Sequence, residues 1–189
     1  RAWSRGYSGL GQAVVVADTG VQPDHPMLAG KVTSEACFSN GWNSDTSLCP
    51  GGVTVAYGPG TGVNCNLALA GCFHGTHVAG IAAGRSASLN GVAKDATIIS
   101  LQVFTRIDQP SVCSPNPVPC IQAYWRDLAA ALDYIYTNLQ YNNRIASVNM
   151  SIGGQTYTAA CDTAEPSMTN AINRLRTVGI GSVVASGNN

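Results

Sequence analysis

Ala13-Val14-Val15-Val16-Ala17-Asp18-Thr19-Gly20 is the stretch whose reading decides the fold class. An unbroken apolar run of this length, rich in β-branched residues, is a strand buried on both faces, and Asp-Thr-Gly ends it in a turn. Strand-like runs recur at Thr97 to Phe104 (TIISLQVF), which is β-branched, at Ile145 to Met150 (IASVNM) and at Ile180 to Ala185. Between them the apolar period becomes helical. His74 to Gly84 reads as a helix of small residues, with Val78, Ala79, Ile81, Ala82 and Ala83 able to lie close to a sheet. From Arg126 to Gln140, Leu128, Leu132, Ile135 and Leu139 recur at helical spacing. A helix over 164–178 has Pro166 near its start, Met168, Ala171, Ile172 and Leu175 on one face, and Gly179 as its stop. Strands alternating with helices of this length predict an α/β fold on a parallel sheet with right-handed crossovers. Two stretches break the alternation. Residues 26–72, rich in Gly, Ser, Asn and Cys, read as loop and short strands, and 105–120 as a proline-rich loop. No internal repeat is visible.

Composition narrows the function classes. The 189 residues are 45% apolar and only 11% charged, with a formal net charge of +0, which is the balance of a globular domain with one sizeable core. Nothing is basic enough to hold nucleic acid or an anionic membrane surface. No apolar run reaches transmembrane length. The first residues, Arg1-Ala2-Trp3-Ser4-Arg5-Gly6, lack the apolar core of a secretory signal, so any such leader is expected outside this sequence.

Seven cysteines are many for this length. They fall as Cys37 and Cys49, Cys65 and Cys72, Cys113 and Cys120, then Cys161 alone, which suggests three local disulfides, although spacing alone does not choose among the connectivities. The shortest loops are worth roughly 2.5 kcal/mol each by chain entropy, less at Cys113–Cys120, where prolines have already stiffened the chain. Zinc is the weaker alternative, since the two-residue knuckle spacing is missing. Disulfides imply an oxidising compartment and hence export. Cys161 is then an orphan that asks for a partner outside the chain.

In parallel sheets chemistry collects at the carboxyl ends of strands. Asp18 stands at one such end, though alone it is an ordinary turn-former. His74 opens a helix, where a histidine commonly caps or packs. His77 lies three residues on, but without the glutamate of a His-Glu-x-x-His arrangement the pair makes a poor metal site. Asn188, after Gly187, would by itself be a turn.

Taken jointly the three positions say more. ADTGV (17–21) with His25-Pro26 shortly after, HGTHVAGIAAG (74–84), GVAKDATIISLQVF (91–104), VNMSIGG (148–154) and VVASGN (183–188) resemble, in order, the subtilisin-like serine proteases. The likeness runs from about Gly6 onward. It implies the three-layer subtilisin-like α/β fold, a parallel sheet flanked by helices, and a serine endopeptidase acting on extracellular proteins. In that resemblance Asp18 would orient the imidazole of His74 and stabilise its cation. His74 would take the serine proton and pass it to the leaving amine. Asn188 would donate its amide to the developing oxyanion, a bond worth about 3–4 kcal/mol in subtilisin itself. Ser151, Ile152 and Gly153 would line the cleft and pair with an extended peptide by strand addition. The expected partners are a polypeptide substrate and a propeptide, with no cofactor, for a secreted monomer. His77 would be structural.

Two departures qualify the likeness. Met27 stands where many members of that family carry an acidic calcium ligand, and the loop after the histidine helix is short, so no calcium or other metal is expected. More important, the Gly-Thr-Ser-Met-Ala nucleophile motif of the family is absent from these residues, and neither Ser151 nor Ser186 takes its place. The expectation is therefore a single incomplete catalytic domain over 1–189, truncated at its C-terminus and inactive alone. The alternative is a non-catalytic peptide-binding or inhibitory module that keeps the cleft.

Overall fold

In the computed structural model, residues 2–41 and 45–187 are described. The elements run β1 (Ala13–Asp18), β2 (Val32–Phe38), β3 (Thr46–Ser47), β4 (Val55–Tyr57), α1 (His74–Ala83), β5 (Thr97–Gln102), β6 (Phe104–Ile107), the single turn α2 (Pro110–Cys113), β7 (Cys120–Ala123), α3 (Trp125–Thr137), β8 (Ile145–Met150), α4 (Pro166–Thr177) and β9 (Gly181–Val184). Six strands form the main sheet in the order β4-β2-β5-β1-β8-β9. All its pairings are parallel except that of β4 with β2 at one edge, so the sheet is mostly rather than wholly parallel. β3, β6 and β7 make a separate antiparallel sheet.

β1 is buried along its whole length, as its unbroken apolar run requires. Successive side chains point to opposite faces. Val14 and Val16, with Ile98 of β5, meet Ala79 and Ala83 of α1. Val15 and Ala17, with Ile99 and Leu101, meet Leu128, Leu132 and Ile135 of α3 and Met168, Ala171 and Leu175 of α4. The three layers follow from that division: one helix beneath the sheet, two above it. Among the described residues no helix is long and apolar enough to cross a membrane.

Four sequence expectations change. Ile81, read as facing the sheet, is 70% exposed. It lies two residues, about 200° of helix, from buried Ala79, whose face is shared by the i, i+4 partner Ala83, with Val78 and Ala82 at its margins. The run Thr97–Phe104 is two strands, because Gln102 folds its side-chain amide onto the backbone of Phe104 and turns the chain into the second sheet. Residues 105–120 are not simply loop, since β6 and β7 form a hairpin whose arms start and finish that segment. Within 26–72, β2 is a seven-residue strand of the main sheet; polar Thr33, Ser34 and Glu35 hide it among apolar neighbours.

The three local disulfides form as Cys37–Cys49, Cys65–Cys72 and Cys113–Cys120, and Cys161 is free.

Candidate active site

Asp18 ends β1 at the carboxyl edge of the sheet, and its carboxylate is fully buried. It is not left unpaired. Thr19 donates its backbone N–H to Oδ1 at 2.7 Å, and Nδ1 of His74 lies 2.8 Å from Oδ1 and 3.0 Å from Oδ2. Burial pushes the Asp18 carboxyl above its ordinary value, against the opposing pull of the His74 and Thr19 hydrogen bonds. His74 is the first residue of α1 and sits 56 positions further along the chain.

The meeting of these two residues depends on how α1 begins. No side chain of the preceding residue caps the helix. Instead Oγ1 of Thr19 accepts the Gly75 N–H at 2.9 Å, and the Thr76 hydroxyl accepts the Gln22 N–H at 2.9 Å. The turn after β1 thus supplies the acceptor that the first helical turn lacks. The Cys65–Cys72 disulfide closes the loop immediately before the helix. Gly75 permits the approach: a Cβ there would lie 2.3 Å from the Gly20 carbonyl oxygen and 3.1 Å from Cβ of Asp18. Gly75→Ala must push α1 away from the β1 turn. We expect a loss of about 1–3 kcal/mol of stability, measurable in denaturant unfolding; an unchanged midpoint would contradict this account of the helix start.

His74 opens onto a cleft of about 840 Å³. Ser151, Ile152, Gly153, Gly154 and Gln155, which follow β8, line one side. Ile121, Gln122 and Ala123 of β7, with Tyr124 and Trp125, line the other. The two sides approach closely at Gly154, where a Cβ would come within 2.7 Å of the Trp125 ring. Asn149 donates its amide to the Ser151 hydroxyl at 2.8 Å. An imidazole with Nδ1 committed to a buried carboxylate keeps Nε2 for proton transfer at the cleft.

The residues singled out in the sequence therefore divide. Asp18 and His74 meet, and Ser151, Ile152 and Gly153 line the cleft beside them. His77 is exposed and lies against Phe73, ring centroids 5.0 Å apart and planes tilted by 45°. Asn188 lies outside the described residues. The opposite wall, Ile121 to Trp125, was missed; its local sequence carries no recognisable catalytic motif, and the β6–β7 pairing brings it to the cleft.

Comparison with known proteins places this geometry. A sequence profile described as the Subtilase family matches residues 9–189. A subtilisin-like protease of Arabidopsis thaliana is 33% identical over 103 residues, covering 54% of this chain and 8% of that protein. Another, of Coccidioides posadasii, is 35% identical over 117 residues, covering 61% of this chain and 23% of the relative. Among solved structures, a protease of Pseudoalteromonas arctica superposes with a TM-score of 0.67 at 23% identity, covering 99% of this chain and 52% of that one. Sphericase gives 0.64 at 23% identity, covering 96% and 47%. The chain thus spans about half of those structures and less than a quarter of either curated relative.

Proposed function

From the premise that this chain belongs to the subtilase family, we propose that residues 1–189 carry the acid, the base and part of the substrate cleft of a secreted serine endopeptidase. The single observation that carries the reading is the 2.8 Å contact between His74 Nδ1 and the buried Asp18 carboxylate, made at the mouth of the cleft. Asp18 holds the imidazole in the tautomer whose Nε2 is free, and its charge stabilises the imidazolium formed when the nucleophile loses its proton. His74 takes that proton and returns it to the leaving amine, so each half-reaction ends with the base restored. Asn188 donates to the carbonyl oxygen as it becomes an oxyanion. Ser151, Ile152 and Gly153 offer backbone to an extended polypeptide.

The nucleophilic serine comes from sequence other than residues 1–189, which contain no Gly-Thr-Ser-Met-Ala segment. Two facts support that assignment: the family match and the half-length coverage of the solved proteases. Residues 1–189 expressed alone then have no measurable peptidase activity. Export to an oxidising compartment is supported by the three disulfides.

The test is covalent labelling. The full-length protein should react with a serine-directed fluorophosphonate and lose peptide hydrolysis in proportion to the label incorporated. Undiminished hydrolysis after saturating treatment would remove serine from the mechanism.

A further inference from the structure

The cleft wall missed in the sequence is held by a carboxylate that the catalytic reading does not use. Asp45 sits beside β3, in the loop closed by the Cys37–Cys49 disulfide. Its Oδ2 accepts the Tyr124 hydroxyl at 2.5 Å, and its Oδ1 accepts the Gln109 side-chain amide at 3.1 Å. Those partners come from different places. Tyr124 joins β7 to α3 and lines the cleft; Gln109 precedes α2 in the connection between β6 and β7. One half-buried carboxylate in a disulfide-closed loop therefore ties the β6–β7 connection, through Gln109, and the cleft wall, through Tyr124, together.

Its backbone is itself constrained. A Cβ on Gly41 would lie 2.6 Å from the Asp45 carbonyl oxygen, so the loop is closely packed there. Ser39 and Thr105, both buried, share a hydroxyl hydrogen bond at 2.9 Å, and the Leu48 N–H donates to Ser39 Oγ at 2.9 Å. On the helix side, Asn40 donates its N–H to the buried Asp127 carboxylate at 3.0 Å. Arg126 stands over the Tyr124 ring, 5.3 Å from its centroid. What Asp45 holds is the hydroxyl at the tip of the Tyr124 side chain, whose residue lines the cleft. A hydrogen bond to a charged acceptor is among the stronger of its kind, and this one is directional.

We propose that Asp45 is a positioning residue that, by clamping Tyr124 and Gln109, fixes the Ile121–Trp125 wall and so sets how well the cleft holds extended polypeptides rather than how fast the bond is cut. This rests on the endopeptidase reading above for its kinetic readout. Interactions equal in ground and transition state appear in KM and not in kcat. Loss of the clamp should therefore weaken binding of any substrate long enough to lie against Tyr124 and leave a minimal substrate untouched.

The experiment compares a blocked single-residue ester with an extended peptide, in the full-length protein. Asp45→Asn should raise KM for the extended peptide about tenfold, hold kcat within about twofold, and leave both constants for the ester unchanged. Asp45→Glu should recover part of the loss. Tyr124→Phe, which deletes only the hydroxyl, should raise KM for the extended peptide similarly, and should carry the test if Asp45→Asn does not fold. The double variant should lose clearly less than the sum of the two single losses, because both changes act on the same Tyr124–Asp45 bond. Equal effects on the two substrates, no effect on either, or additive losses would overturn the proposal. Fluorophosphonate labelling of the wild type separates the two readings. If the wild type takes no label, the endopeptidase reading fails by itself. The clamp is then judged by retention of the unhydrolysed extended peptide, which Asp45→Asn should weaken about tenfold and whose unchanged binding would overturn it.

Discussion

Replacing His74 with alanine in the full-length protein should lower kcat for peptide hydrolysis by about 10⁶-fold, the size of the loss when subtilisin, a protein of the same family, is deprived of its catalytic histidine. The magnitude is carried over from that relative; the reason for expecting it here is geometric. Nδ1 of His74 is held 2.8 Å from the Asp18 carboxylate, which leaves Nε2 as the ring atom at the cleft. No other histidine can substitute: His77 is turned outward onto Phe73, and His25 hydrogen-bonds the Met27 N–H through its own Nδ1. The fold should survive the change. The His74 side chain is 44% exposed, alanine suits a helix start sterically, and Asp18 keeps the Thr19 N–H as a donor. Turnover and the unfolding midpoint should be measured together on the same preparation. A variant with about a tenth of the wild-type kcat would exclude the imidazole as base, and a variant that does not fold would place His74 in the structure rather than the chemistry.

The elements that carry this pair were legible because their signals are local, an apolar run ending in Asp-Thr-Gly and a helix opening His-Gly-Thr-His. Their pairing was not local: each residue alone reads as turn or cap, and only their ordered occurrence, through the family resemblance, joined them. Local signals also mark β8 and the apolar faces of α3 and α4, where Leu128, Leu132, Ile135, Met168, Ala171 and Leu175 are buried as their spacing predicts. Illegible features depend on pairing at a distance. β2 carries Thr33, Ser34 and Glu35 between Val32 and Ala36, so no apolar run marks it, and its place beside β5 comes from the sheet. The prolines of 105–120 obscured a hairpin whose arms lie at both ends of the segment. Asp45 shows the limit most clearly. Nothing near it in sequence points to Tyr124, 79 residues away, yet that contact positions half of the cleft.

Asp18→Asn separates chemistry from stability at the residue where they conflict. We expect kcat to fall about 10⁴-fold, as it does when the triad aspartate is amidated or removed in serine proteases. Asparagine keeps the shape and can still accept the Thr19 N–H, but its amide can also donate to Nδ1 of His74. The imidazole proton then sits on Nε2, which can no longer accept one from the nucleophile, and the charge that favours the imidazolium is gone. Stability should move the other way. Burial raises the Asp18 carboxyl above 3.8, the value it takes in the unfolded chain. The stability associated with its protonated form is therefore fully present below 3.8 and lost as pH rises through the higher folded value. An asparagine does not titrate, so the variant should lack that decline and be no less stable than wild type at neutral pH. Unfolding free energies measured from acid to neutral pH, beside kcat, test both halves. A variant that retains activity would remove Asp18 from the mechanism. One that is weakened at neutral pH but not in acid would mean that the ionised carboxylate supports the fold, and that the site was not built at the expense of stability.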